Sequence, residues 1–189
     1  MTNITKKICK NWSERSGYKP DVIVVHISAG SLTSMTSWFS TPGSQASAHY
    51  GIGRDGTVLQ YVEEDKKAWT QGNVKKPTSK IVLERPGINP NLYCLSIENE
   101  GQDLGLGTIV QINTLVDLIK EVATRWNIPL DRDHIIGHYE IDAVNRSHCP
   151  SPNHTMLDMI LKRLVQSEMV SILVPRSKVD IIKEFIKTL

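Results

Sequence analysis

At 189 residues, with 40% hydrophobic and 22% charged side chains, the chain has room for one ordinary domain and a short appendage, and its composition excludes a disordered or collagen-like polymer. Its net charge of +2 is unevenly placed: residues 1–20 carry Lys6, Lys7, Lys10, Arg15 and Lys19 against Glu14, whereas residues 21–154 lean acidic. The chain lacks the basic stripe with interleaved aromatics of a nucleic-acid binder, any apolar run near the ~18 residues of a spanning helix, and the apolar core of a secretion signal. The expectation is a chain made in the cytosol, with no nucleic-acid partner and no membrane insertion, whose N-terminal charges form a solvated face. Cys9, Cys94 and Cys149 are odd in number and widely spaced, which suits buried small hydrophobes or metal ligands better than a disulfide framework.

In chain order, residues 21–27 form a continuous apolar run ending at Ser28-Ala-Gly30, the pattern of a buried central strand. Leu32, Met35, Trp38 and Phe39 recur at helical spacing before Thr41-Pro-Gly43. Residues 48–52 and 57–62 flank the turn Arg54-Asp-Gly56 and read as a hairpin. Residues 73–91 are rich in Lys, Pro, Gly and Asn and read as a long functional loop. A further strand at 92–98 ends in Glu98-Asn-Glu-Gly101. Ile109, Ile112, Leu115, Val116, Ile119, Val122, Ala123 and Trp126 mark a helix over 108–127, with Pro129 beyond. A short strand at 134–137 leads to His138, an irregular loop covers 139–153, and Met156 to Val165 make a last amphipathic helix. The tail offers a strand at 172–175 and a short helix from Val179. The order implies a mixed α/β sheet flanked by helices, with residues 1–166 as the domain and 167–189 as a short linker, packing or self-association segment.

His26 and His138 fall at the ends of two buried strands, and Cys149 follows in a Pro-containing loop. His/His/Cys sets at a sheet rim suit Zn²⁺, and three protein ligands leave a position for water. A strand histidine can equally be hydrogen-bonded core. Glu98 and Glu100 alternate onto one face of an extended chain, so either could take a proton from that water, or both could be solvated acids.

Five segments, VIVVHISAG at 22–30, SAHYGIGRDGTVLQYV at 47–62, AWTQGN at 68–73, LSIENEG at 95–101 and IIGHYEIDAVNRSHCPSP at 135–152, carry a resemblance in the family's own order. The chain resembles the zinc-dependent N-acetylmuramoyl-L-alanine amidases of the type-2 amidase family, relatives of phage lysozyme-amidases and peptidoglycan recognition proteins. The likeness is strongest to phage or prophage endolysins of Gram-positive hosts and covers about residues 20–165. It implies that fold, a Zn²⁺ cofactor on His26, His138 and Cys149, and Glu98 as the acid beside the metal-bound water, with Glu100 as fallback. It further implies cleavage of the amide between N-acetylmuramic acid and L-alanine in peptidoglycan, whose glycan and stem peptide are the partners. An endolysin acts at the host wall after the membrane is permeabilised. Trp69, Thr70, Tyr139, Ser147 and His148 are candidate substrate-binding residues in a groove between the 73–91 and 139–153 loops. His49 is expected to be structural or to support the site from behind, donating to backbone or carboxylate. Thr70 stands where the family often has His, and Ser147 where many members have Lys. Arg146, Thr70 or His148 would then steady the oxyanion, and a weakly catalytic or binding-only module is the alternative function.

Overall fold

The structure is a computed structural model that describes residues 2–101 and 106–173. The apolar run in the first third of the chain becomes strand β3 (Val22–Ile27), in which every residue is buried. Around it lie β1 (Ile4–Lys6), β4 (Tyr50–Ile52), β5 (Val58–Gln60), β7 (Cys94–Asn99) and β8 (Ile135–Gly137), in the sheet order β1-β5-β4-β7-β3-β8. β3 is parallel to both β7 and β8, and β4 is parallel to β7. The β4–β5 pair is the antiparallel hairpin, turned at Gly56, whose φ of +86° favours glycine. β2 (Trp12–Glu14) and β6 (Lys66–Ala68) make a separate two-stranded sheet.

Alternation along β3, β7 and β8 divides the core into two layers. Ile23, Val25, Leu95, Ile97 and Ile135 pack against α3 (Ile109–Trp126) and α4 (Thr155–Leu173) through Ile112, Leu115, Ile119, Met156 and Ile160. On the opposite face Val22, Val24, Cys94 and Ile136 lie under Ile81 and Val82 of α2 (Lys80–Leu83). A third cluster, Met35, Phe39 and Tyr61, holds α1 (Leu32–Ser40) against the sheet at β4.

The helix read at 108–127 begins on the Thr108 hydroxyl, which accepts from the Gln111 N–H, and ends at Asn127 in the left-handed region. Ile109, counted in its apolar stripe, sits in the first turn and is exposed. α4 runs through Leu173, so residues 172–173 end a helix and do not open a strand. The rest of that strand and the short helix from Val179 lie outside the described residues. Among the described residues no helix is long and apolar enough to cross a membrane.

Arg15 departs from the solvated N-terminal face. It is buried and donates to the carbonyls of Glu64, Asn91, Leu92 and Cys94, joining the N-terminal segment to two other parts of the chain. Its burial lowers the guanidinium pKa to about 10, which leaves it charged at neutral pH. Arg15→Met strands those acceptors in the interior and is expected to cost about 3–5 kcal/mol, read as a fall in the urea midpoint.

Candidate metal centre and cleft

Because β7, β3 and β8 are parallel neighbours, their C-terminal ends share one rim, where α/β sheets place ligands. His26 and Glu98 are in register across β3 and β7, and both project from the α2 side of the sheet. Val25 is opposite Gly137, so His138, one residue past β8, comes level with His26. Cys149 reaches the same point from the loop beyond. Its carbonyl accepts from Tyr139 N–H and its N–H donates to the Arg146 carbonyl, while the Ile27 N–H donates to its Sγ at 3.4 Å. Ligand atoms of His26, His138 and Cys149 all lie within 4.8 Å of one another, the one such group of His, Cys and acidic residues among the described residues.

One hydrogen bond fixes the state of the His138 ring. His138 Nε2 lies 3.1 Å from the Gln71 carbonyl, which can only accept, so that nitrogen carries the proton and Nδ1 presents a lone pair. This Nδ1 is 3.0 Å from His26 Nδ1. His26 Nε2 and Glu98 Oε2 are buried without a hydrogen-bond partner, and Glu98 Oε1 is 3.9 Å from His26 Nδ1. Burial holds the His26 pKa well below its usual value and takes His138 down to about 4, so both rings are neutral, as metal ligation requires. Burial raises Glu98 to about 7, opposed by the charge of Arg146. Two neutral imidazoles, a half-buried sulfur and orphaned polar atoms fit Zn²⁺ by donor chemistry and by the demand of buried groups for partners.

His26, His138 and Cys149 lie in the lining of a cleft of about 610 Å³. Its walls correct the expected groove. One is α1, through Ser34, Met35, Trp38 and Phe39, and the other is Asn145 to Cys149. The 73–91 loop lies elsewhere: its α2 covers the sheet upstream of the rim, and it lines a separate depression with Pro77, Leu83 and Ile88. Trp69, Thr70, Ser147 and His148 border the cleft. Tyr139 does not. It follows His138 directly, so its side chain turns the other way, into the α3–α4 core, where it stacks on His154 and accepts from Arg132. The Thr70 hydroxyl is committed to the Ser47 carbonyl at 2.6 Å, which removes it as an oxyanion donor. Arg146 and His148 stay at the cleft.

Glu100 lies past the end of β7, where its carboxylate accepts from Arg54 N–H in the hairpin turn; alternation no longer aligns it with Glu98. Sequence reasoning missed Trp38, 56% exposed and on the cleft wall. Its adjacency to Phe39 was the available clue, since neighbours on a helix stand about 100° apart and cannot both centre one stripe. It also missed Gln71, whose contribution is a backbone carbonyl.

His49 is fully buried. Its Nδ1 accepts from Ser96 N–H, so Nε2 carries the proton and donates to the Lys66 carbonyl, with Arg15 Nη2 alongside at 2.9 Å. Burial, then the Arg15 charge, lowers its pKa to about 3. An unfolded His protonates near pH 6.5, so this stabilisation is complete above that value and declines as pH falls towards 3, by about 2 kcal/mol at pH 5. Urea midpoints of wild type and His49→Gln between pH 7 and 5 check this: the variant should show a shallower pH slope.

A family model described as N-acetylmuramoyl-L-alanine amidase matches residues 16–152. N-acetylmuramoyl-L-alanine amidase A of Achromobacter lyticus is 30% identical over 121 residues, which are 62% of this chain and 59% of that protein. The 1,6-anhydro-N-acetylmuramyl-L-alanine amidase AmpD of Enterobacter cloacae is 34% identical over 101 residues, 53% of this chain and 48% of that protein. The chain thus spans only about half the length of these curated relatives. Among solved structures, an AmpD derivative superposes with a TM-score of 0.67 at 22% identity, covering 85% of this chain and 95% of that one. The catalytic domain of XlyA does so with a TM-score of 0.65 at 17% identity, covering 86% and 99%. These two share the fold of a mixed sheet flanked by helices. With the family model matched from Arg15's neighbour Ser16 to Pro152, through His26, Glu98, His138 and Cys149, the chain belongs to the N-acetylmuramoyl-L-alanine amidase family.

Proposed function

We propose that the protein is a zinc-dependent hydrolase that cleaves the amide between N-acetylmuramic acid and L-alanine in peptidoglycan, as a phage or prophage endolysin acting at the host wall after membrane permeabilisation. The observation that carries this reading is the convergence of His26, His138, Cys149 and Glu98 on one rim, at the floor of a cleft large enough for a glycopeptide segment. The family and the names of its relatives support the bond chosen.

His26, His138 and Cys149 would hold the zinc, which when bound supplies Lewis-acid polarisation of a carbonyl and acidification of a water. Glu98 is placed to accept a proton from the attacking water at a carboxylate oxygen. It returns that proton to the alanine nitrogen as the C–N bond breaks, leaving a lactyl carboxylate and a free amine. A carboxylate raised to about 7 by burial suits both halves of that transfer. Arg146, on the cleft wall, stabilises negative charge developing on the carbonyl oxygen.

Zinc content per chain and release of amino termini from Gram-positive peptidoglycan, with and without chelator, test the proposal. The expected result is one zinc and chelator-sensitive new amino termini without new reducing ends. Zinc without cleavage would make the protein a binding module. No zinc would overturn the ligand assignment.

A further inference from the structure

We infer that Asn91 is a positioning residue for His138: its side chain pins the turn whose carbonyl fixes the ring's proton on Nε2 and so directs Nδ1 to the metal. The inference rests on the zinc reading of the centre. Asn91 is buried in the short turn Pro90–Leu92, far in sequence from every ligand. Its Oδ1 accepts two consecutive backbone N–H groups, Thr70 at 3.1 Å and Gln71 at 3.0 Å. The next peptide carbonyl, that of Gln71, accepts from His138 Nε2. Gly72 follows with φ +59°, a conformation that suits glycine and lets the chain leave while the carbonyl stays turned inward.

Asn91 is itself clamped. Arg15 Nη1 donates to its carbonyl and to that of Leu92. On the far side of the turn, Ser47 receives the Trp69 N–H on its hydroxyl and the Thr70 hydroxyl on its carbonyl. The backbone that presents the Gln71 carbonyl is therefore held from both sides by a partly buried hydrogen-bond network. Without it a neutral His138 could place its proton on either nitrogen, and a proton on Nδ1 would block ligation. Partners of this kind typically change metal affinity by about 10–100-fold when lost.

The test compares wild type with Asn91→Leu, which removes the acceptor at similar volume, and Asn91→Asp, which keeps an oxygen there. Zinc affinity is read by chelator competition, and His138 by long-range proton–nitrogen NMR of the zinc-loaded and metal-free proteins. The expected result is a loss of about 10–100-fold in zinc affinity for Asn91→Leu, recovery in Asn91→Asp, and an Nε2-protonated His138 in wild type. A folded Asn91→Leu that binds zinc like wild type overturns the inference. Should that variant not fold, the spectrum of the metal-free wild type decides alone, because there a proton on His138 Nδ1 overturns it equally. A wild-type chain that binds no zinc overturns both this inference and the functional reading; a zinc-binding wild type with an indifferent Asn91→Leu overturns this inference only.

Discussion

Glu98→Gln is expected to cut the rate of amino-terminus release by about 10²–10⁴-fold while zinc content stays at the wild-type level. The amide has the shape of the carboxylate and no capacity to carry the proton. The fold should not suffer. Glu98 is held at raised pKa by burial, and one of its oxygens has no hydrogen-bond partner, so exchanging it for a neutral group removes a desolvation cost. The urea midpoint should therefore stay the same or rise, which separates lost chemistry from lost structure. Glu100→Gln is the matched control. Its carboxylate is engaged with Arg54 N–H in the hairpin turn, outside the cleft lining, and the variant should keep the wild-type rate. Cleavage by Glu98→Gln within tenfold of wild type would remove Glu98 from the mechanism.

Cys149→Ser is expected to weaken zinc binding by more than the ~100-fold that loss of an outer partner can cause, because in the proposed centre it removes a direct ligand. A serine hydroxyl is not ionised at neutral pH and does not replace a thiolate. The effect should also appear as stability. A metal that binds only the folded chain contributes about 2.7 kcal/mol when present at a hundred times its dissociation constant. For a chain of this size that corresponds to a melting shift of roughly 5–10 °C. Chelator should lower the wild-type melting temperature by about that much and leave Cys149→Ser nearly unmoved. Equal chelator responses in the two proteins would exclude the sulfur from the centre.

What the sequence makes legible follows from how far each element depends on its own residues. β3 and β7 are continuous apolar runs and α3 is a long periodic one, so local composition identifies them. β1, β2 and β6 are three residues each, with mostly exposed or half-buried side chains, and exist because a partner is there: Glu14 lies opposite Lys66, with an ion pair of 3.0 Å between them. The rim is legible for the same reason as the strands, since a histidine or glutamate closing a buried run must emerge at the sheet's end. The walls are not. Which segment faces the His26–His138–Cys149 cluster depends on where α1 packs after a short connection from β3, and no local pattern encodes that. Tyr139 lies in the core and not in the cleft because it follows His138 directly and adjacent side chains diverge. Gln71 acts through its carbonyl, which every residue type possesses.

The parallel arrangement of β7, β3 and β8 also orders events in time. His26 and His138 are separated by 112 residues, and the Ile27 N–H bonded to the Cys149 sulfur by 122. β3 must wait for β7 and then for β8 before its last histidine has neighbours, and such distant pairings form late because loop closure precedes any gain from contact. The His26–His138–Cys149 cluster thus rests on the most distant strand pairing of the sheet, that of β3 with β8. In a chain made from its N-terminus, His26 is synthesised 112 residues ahead of His138, so the cluster has all its members only once Cys149 has been added.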